Sequence, residues 1–139
     1  MRQAVMLSAV VLAGLAAPAG AQQSGIKLSD IAGEWQQKTM VGPKDSVVLT
    51  IAVNATASGK GWTMTCPKAK PVAVRVVTVG GDSVVTEAGP YPSCLRPGQT
   101  VTALRTTGHY KGNEMWGTFE ATYSTGDKIN GKVTGKRGM

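Results

Sequence analysis

Beyond residue 33 the chain alternates apolar and polar residues with a period of two, and no window of about eleven residues keeps a helical period. Turn residues interrupt the alternation every eight to twelve positions, the spacing of a barrel or sandwich of short strands. The pattern predicts eight strands, at 34–40, 46–53, 61–66, 72–79, 83–88, 100–107, 114–123 and 128–137, preceded by one short helical turn at 28–31. Gly42-Pro43 ends the first strand, Pro67 and Pro71 close the third, and Gly80-Gly81-Asp82 forms a tight turn between the fourth and fifth. A polar loop, 54–60, follows the second strand, and a proline-rich loop, 90–99, follows the fifth. Asn130-Gly131 is a competing turn signal inside the last strand.

The two-residue period also assigns faces. Val47, Leu49, Ile51 and Val53 share one face of the second strand, Trp62 and Met64 one face of the third, and Val72, Val74 and Val76 one face of the fourth, with Arg75 opposite. In the seventh, Met115, Gly117, Phe119, Ala121 and Tyr123 point one way, and Glu114, Trp116, Thr118 and Glu120 the other. In the eighth, Ile129, Gly131, Val133, Gly135 and Arg137 oppose Lys128, Lys132 and Lys136. The short links imply an antiparallel meander, and closing it into a barrel buries the apolar faces and removes the edges. The expected fold is therefore all-β, an eight-stranded antiparallel up-and-down barrel. Small residues at Gly117, Ala121, Gly131 and Gly135 either leave space inside or only permit strand coiling. Gln37 and Thr39 fall on the Trp35 face, and polar residues inside a barrel need partners. A ligand would supply them; a shifted first strand would remove the need.

The first residues carry a different pattern. Arg2, an apolar run over 5–17 and Ala19-Gly20-Ala21 make a secretory signal peptide, 1–21, with cleavage expected before Gln22. The run is shorter than the ~20 residues of a membrane-spanning helix. A segment with the helical turn, 22–33, then leads into a barrel domain, 34–139. Without Arg2 there are fourteen Lys and Arg against eight Asp and Glu, so the exported chain is basic. That balance favours anionic surfaces or ligands, but the basic residues are scattered and no nucleic-acid motif is present. Export into the periplasm or beyond makes a disulfide the simplest use of the only two cysteines, Cys66 and Cys94. Their 28-residue separation fits neither CxxC redox chemistry nor a compact zinc site, and the lone His109 adds little to a metal reading. In a meander the loops after strands one, three, five and seven lie at one end, which puts both cysteines there.

Gly33-Glu34-Trp35 after a helical turn, at the head of a meander that ends in Arg137, resembles the calycin group, which includes lipocalins and avidins. The resemblance spans most of the strand layout but only about four motif residues, and the Thr-Asp-Tyr second motif of lipocalins is absent. It implies that Trp35 and Arg137 form a pair closing one barrel end, with the guanidinium stacked on the indole. A second resemblance is to secreted bacterial metalloprotease inhibitors, small barrels that begin with an L-S-G-x-W-like sequence. Here "KLSDIAGEW" is similar, with an insertion between Ser29 and Gly33, and it implies an inserting role for 22–28.

Catalytic signals are poor. No serine sits in a nucleophile elbow, the acidic residues on strands mostly face outward, and His109 falls in the turn-like "TGHYKGN". The chain is read as a non-enzyme with no metal and no cofactor. The best binding candidate is the cysteine-bearing end, whose loops carry Lys44, Lys68, Lys70, Arg96 and Lys128 against Asp45 and Asp127, with Tyr91 beside Cys94. Beneath it lie Leu49, Trp62, Met64, Phe119 and Tyr123. The expected function is non-catalytic binding of a small apolar or amphipathic ligand, an anionic amphiphile such as a fatty acid suiting the basic rim. The alternative is a protein-binding module such as a secreted protease inhibitor.

Overall fold

The computed structural model describes residues 25–138. The signal peptide, its cleavage point before Gln22 and the first residues of the 22–33 segment lie outside the described residues. A 3-10 turn, Leu28–Asp30, precedes nine strands: β1 (Gly33–Val41), β2 (Ser46–Ala55), β3 (Trp62–Thr65), β4 (Val72–Gly80), β5 (Ser83–Ala88), β6 (Tyr91–Pro92), β7 (Thr100–Lys111), β8 (Glu114–Tyr123) and β9 (Lys128–Arg137). Eight of them form a closed antiparallel barrel, and β6 is a two-residue addition paired with the start of β7. The meander runs in chain order from β1 to β5, then through β7, β8 and β9 back to β1. Two seams close it: β5 pairs with β7 from Ser83↔His109 to Ala88↔Leu104, and β9 pairs with β1 from Lys132↔Met40 to Arg137↔Trp35.

Local chemistry explains the turns. Gly81 (φ +58°) and Gly112 (φ +62°) each take the first central position of a two-residue hairpin, where the twist of the flanking strands requires a left-handed residue. Asn130-Gly131 is not a turn. Gly131 pairs with Phe119 inside the β8–β9 ladder, and the chain reverses earlier, between Tyr123 and Lys128. A Cβ on Gly131 would stand 2.1 Å from the Met40 carbonyl oxygen, and one on Gly117 would stand 1.9 Å from that of Thr107. These glycines let strands coil closely and do not open the interior.

Three β-bulges interrupt the two-residue alternation, and the first of them corrects a predicted face. Between Thr39/Met40 and Leu49/Val47 the register slips, so Val48 is the extra residue. Val47 therefore pairs with outward Met40 and is exposed, instead of sharing the face of Leu49 and Ile51. The same device at Val77 leaves that side chain exposed late in β4. A third, at Thr102, sets Leu104 inward opposite Ala121. Another correction concerns 108–111, expected as a turn. Gly108 reads as a breaker, but it lies inside β7, paired with Gly117 and Val84, and the reversal waits for Gly112-Asn113. His109 is thus a strand residue facing outward.

The main core cluster has Trp35 fully buried with Trp62, Met64, Met115, Phe119 and Val133 around it, and a smaller second cluster holds Val101, Ala121 and Tyr123. The Trp35 indole meets the Tyr110 ring edge-on at 5.0 Å. Cys66 and Cys94 are disulfide-bonded, with Cα atoms 6.4 Å apart, tying the end of β3 to the loop after β6. Because the Gly117 site is bounded by backbone that cannot move without breaking the β7–β8 ladder, Gly117→Ala is expected to cost about 1–3 kcal/mol. A urea unfolding midpoint within error of wild type would contradict this close approach.

Candidate functional site

Two ends and one wall of the barrel carry the candidate chemistry. At the end where β9 finishes, the 3-10 turn crosses the barrel mouth, fixed by Asp30 Oδ2 accepting from the Lys27 backbone N–H at 2.9 Å. The Trp35 Nε1–H donates to the Ile31 carbonyl at 2.8 Å, which satisfies the one polar atom of a fully buried side chain. The Arg137 guanidinium lies over the indole, 5.1 Å from its centre. It donates to four neutral oxygens: Nη1 to the carbonyls of Asp30 (3.0 Å) and Ala32 (2.9 Å), Nη2 to that of Gly112 (3.1 Å), and Nε to Asn113 Oδ1 (2.8 Å). A ring and a planar fork of donors suit this arrangement in a way a lysine cannot.

At the other end the loop after β6 folds across the opening. Its disulfide holds one side. Ser93 Oγ shares a hydrogen bond with the Tyr123 hydroxyl (3.0 Å) and accepts from the Leu95 and Arg96 backbone N–H groups. Arg96 covers the Tyr123 ring at 4.8 Å and pairs with Asp127 at 3.5 Å. Leu95 caps a cavity of about 50 Å³ that runs down from this lid. A second, of about 30 Å³, lies deeper.

Of the residues put forward for ligand binding, Leu49, Met64, Tyr91, Phe119 and Tyr123 line the larger cavity. Trp62 lines only the deeper one and donates through Nε1 to the Thr56 carbonyl at 3.0 Å. Lys68 and Lys70 are exposed on the β3–β4 loop and do not line the interior cavity, Lys70 instead bordering an outer groove of about 430 Å³ with Tyr91 and Cys94, and Arg96 is occupied by Asp127 and Tyr123. The structure thus does not gather the basic rim over the cavity. Gln37 and Thr39 do face inward. Each is more than nine-tenths buried, lines the larger cavity, and makes no side-chain hydrogen bond among the described residues. Leu95 and Thr106 were not singled out by the sequence: one sits in an irregular loop, and the other follows the Thr102 bulge, which hides its face from a two-residue count.

On the outer wall His109 and Trp116 pair across β7 and β8, and their rings stack at 5.9 Å. His109 Nδ1 lies 3.0 Å from Asp82 Oδ1. Trp116 is 44% exposed, whereas Trp35 and Trp62 are buried. Among the described residues, no group of three or more His, Cys, Asp or Glu side chains comes together as a metal site would require. Likewise no helix there is long and apolar enough to cross a membrane.

Against known proteins, no family model matches the chain, and no curated protein or solved structure is significantly similar to it. The site must therefore be read from its own geometry.

Burial pushes the Tyr110 hydroxyl up to about 12. Burial, with a smaller contribution from Tyr123, does the same to Tyr91. A folded pKa above the ordinary value of 10.0 keeps the neutral phenol favoured in the native state. This stabilisation is complete below pH ~10 and is lost as pH rises towards ~12. Unfolding midpoints measured across that window are expected to fall, and Tyr110→Phe to flatten the fall. Trp35→Ala should cost about 3–5 kcal/mol, since it empties the largest fully buried site. A loss near 1 kcal/mol, the size of a surface change, would remove Trp35 from any barrel-closing role.

Proposed function

We propose that the chain is an exported, non-catalytic binding protein that engages its partner through the outside of a filled barrel. The observation that carries this reading is the size of the interior. A cavity of about 50 Å³ holds a few water molecules, whereas pockets for drug-sized ligands span ~300–1,000 Å³. The glycines that would have made room are filled by neighbouring backbone, and the mouth is covered by a loop tied by a disulfide and by Ser93. The leader pattern and the Cys66–Cys94 bridge support export to the periplasm or beyond. A calycin-like ancestry fits the eight-stranded barrel with Arg137 stacked on Trp35.

The protease-inhibitor form of this reading asks for a free N-terminal arm. Residues 25–28 are not free: the Ile26 N–H donates to the Gly81 carbonyl at 2.7 Å, and Ile26 and Leu28 lie against the core. A surface module does not depend on that arm. One observation favours the second reading, a small interior ligand: Gln37 and Thr39 present unpartnered polar groups to the cavity. Any such ligand would be of the size of a few waters unless the Leu95 loop moves.

Native mass spectrometry of the exported protein purified from its host separates the two. The expected mass is that of the cleaved chain less two hydrogens, with nothing small bound. A co-purifying molecule of fatty-acid size, lost on denaturation, would overturn the surface reading and establish a carrier.

A further inference from the structure

Strand pairing arranges the outer wall as a lattice of rows. One row reads Ser83, His109, Trp116, Thr134 and Lys38 across β5, β7, β8, β9 and β1. The next row towards the Arg137 end reads Lys111, Glu114 and Lys136. The row on the other side reads Thr107, Thr118 and Lys132. Neighbouring strands are ~4.8 Å apart and rows ~6.8 Å, so Lys111 and Lys136 lie diagonally beside Trp116, and Lys38 lies two strands away.

The wall's charges divide into neutralised and free. Lys132 pairs with Asp45, Lys128 with Glu120, and Arg105 with Glu87. No ion pair among the described residues engages Lys38, Lys111 or Lys136, and all three are exposed. The only carboxylate in their rows is Glu114. Asp82 lies at the far edge of His109 and Glu114 between Lys111 and Lys136, so the three lysines leave a modest positive excess beside the wall's one exposed large aromatic ring.

From this juxtaposition we propose that the Trp116–His109 face binds an anionic polysaccharide. The proposal rests on the surface-binding reading above. Trp116 offers a flat apolar ring, widened by stacked His109, of the size of one sugar ring. Thr107, Thr118 and Thr134 surround it with hydroxyls that donate and accept, the groups a hydroxylated chain requires. Lys38, Lys111 and Lys136 complement carboxylates spaced along such a chain. A lipid surface would ask for several protruding apolar side chains around the tryptophan, and its nearest lattice neighbours are polar or charged.

Polygalacturonate, a uronic-acid polysaccharide, is the probe. Binding is followed by tryptophan fluorescence with acrylamide quenching, which reads Trp116 because the other two tryptophans are buried. Polygalacturonate is expected to protect Trp116 and neutral dextran to leave it unprotected, with binding weakened by salt. Trp116→Thr, followed by sedimentation with the polymer, and the double variant Lys111→Gln/Lys136→Gln are each expected to weaken binding about tenfold or more. Lys68→Gln/Lys70→Gln, on the distant β3–β4 loop, is expected to bind as wild type. Unfolding midpoints near wild type establish that the variants are folded.

Three results would overturn the proposal: no binding of polygalacturonate, equal binding of dextran, or unchanged affinity in Trp116→Thr. Preference for anionic phosphatidylglycerol vesicles over polygalacturonate would also overturn it, in favour of a membrane. Loss of binding only in the Lys68/Lys70 variant would move the site to the rim and leave the surface reading standing. An interior ligand in the native mass spectrum, with no polymer binding, would defeat both.

Discussion

The barrel depends on one guanidinium. Arg137 is the last residue of β9, and its side chain holds three segments that are far apart in sequence. It pairs with no carboxylate among the described residues and donates instead to the carbonyls of Asp30, Ala32 and Gly112 and to the Asn113 amide oxygen, above the Trp35 ring. Burying a cation costs free energy unless its donors are met, and here they are met by oxygens that the strand ends would otherwise leave exposed. The same residue thus registers β9 against β1, anchors the 3-10 turn over the barrel mouth and fixes the β7–β8 hairpin. A sheet loses its edges only by closing on itself, and the β9–β1 pairing is one of the two seams that close this one.

Closure also determines what the interior can hold. The outward course of β7, β8 and β9 is set by glycines at contact points. Gly117 lies against the Thr107 carbonyl, Gly131 against that of Met40, and Gly135 against Met115 and the Gln36 carbonyl. Strands brought this close curl tightly, and the aromatic and sulfur-bearing side chains of Trp35, Tyr110, Met115 and Phe119 take up the space within. The lid loop narrows the remaining opening, with Leu95 lining the cavity beneath it. A barrel of this strand number can hold a ligand only where its inward residues are small, and the small residues here face strand backbone.

The sequence carried the fold because its governing signals are short-range. Alternation located all eight barrel strands and the inward faces of β8 and β9, and the ends of Trp35 and Arg137 follow from strand order in a meander. Errors arose where the period breaks. The Val48 bulge turned Val47 away from the face of Leu49 and Ile51; Val77 and Thr102 add a residue in the same way where no face had been assigned, and nothing in their composition announces a bulge. The stretch "TGHYKGN" looked like a turn because a strand glycine and a turn glycine are the same residue; the close contact of Gly108 with Met115 and Tyr110 distinguishes it. Side-chain groupings across strands were partly legible. The lining residues Leu49, Met64 and Phe119 come from periodicity alone, whereas the cover by Leu95 and the neutralisation of Arg96 by Asp127 depend on loop conformation.

The distribution of charge follows from the same architecture. A closed meander has an outer wall on which every second residue of each strand meets solvent, so charges on adjacent strands are forced into lateral rows. Opposite signs placed on adjacent strands in the same row find each other, as Arg105 and Glu87 do, and such exposed pairs contribute little to stability. Their structural effect is to cancel the field locally. Cations without an ion pair leave local positive field, and on this wall Lys111 and Lys136 stand on one side of Trp116 with Lys38 two strands away. A polar wall gains nothing from exposing a large indole to water, because burying that ring elsewhere would be favourable. The stack on His109 shields one part of the ring and fixes its orientation, leaving a rigid aromatic surface framed by lysines. Rigid rings lose little side-chain entropy when they are covered, so a face of this kind is suited to contact with a partner.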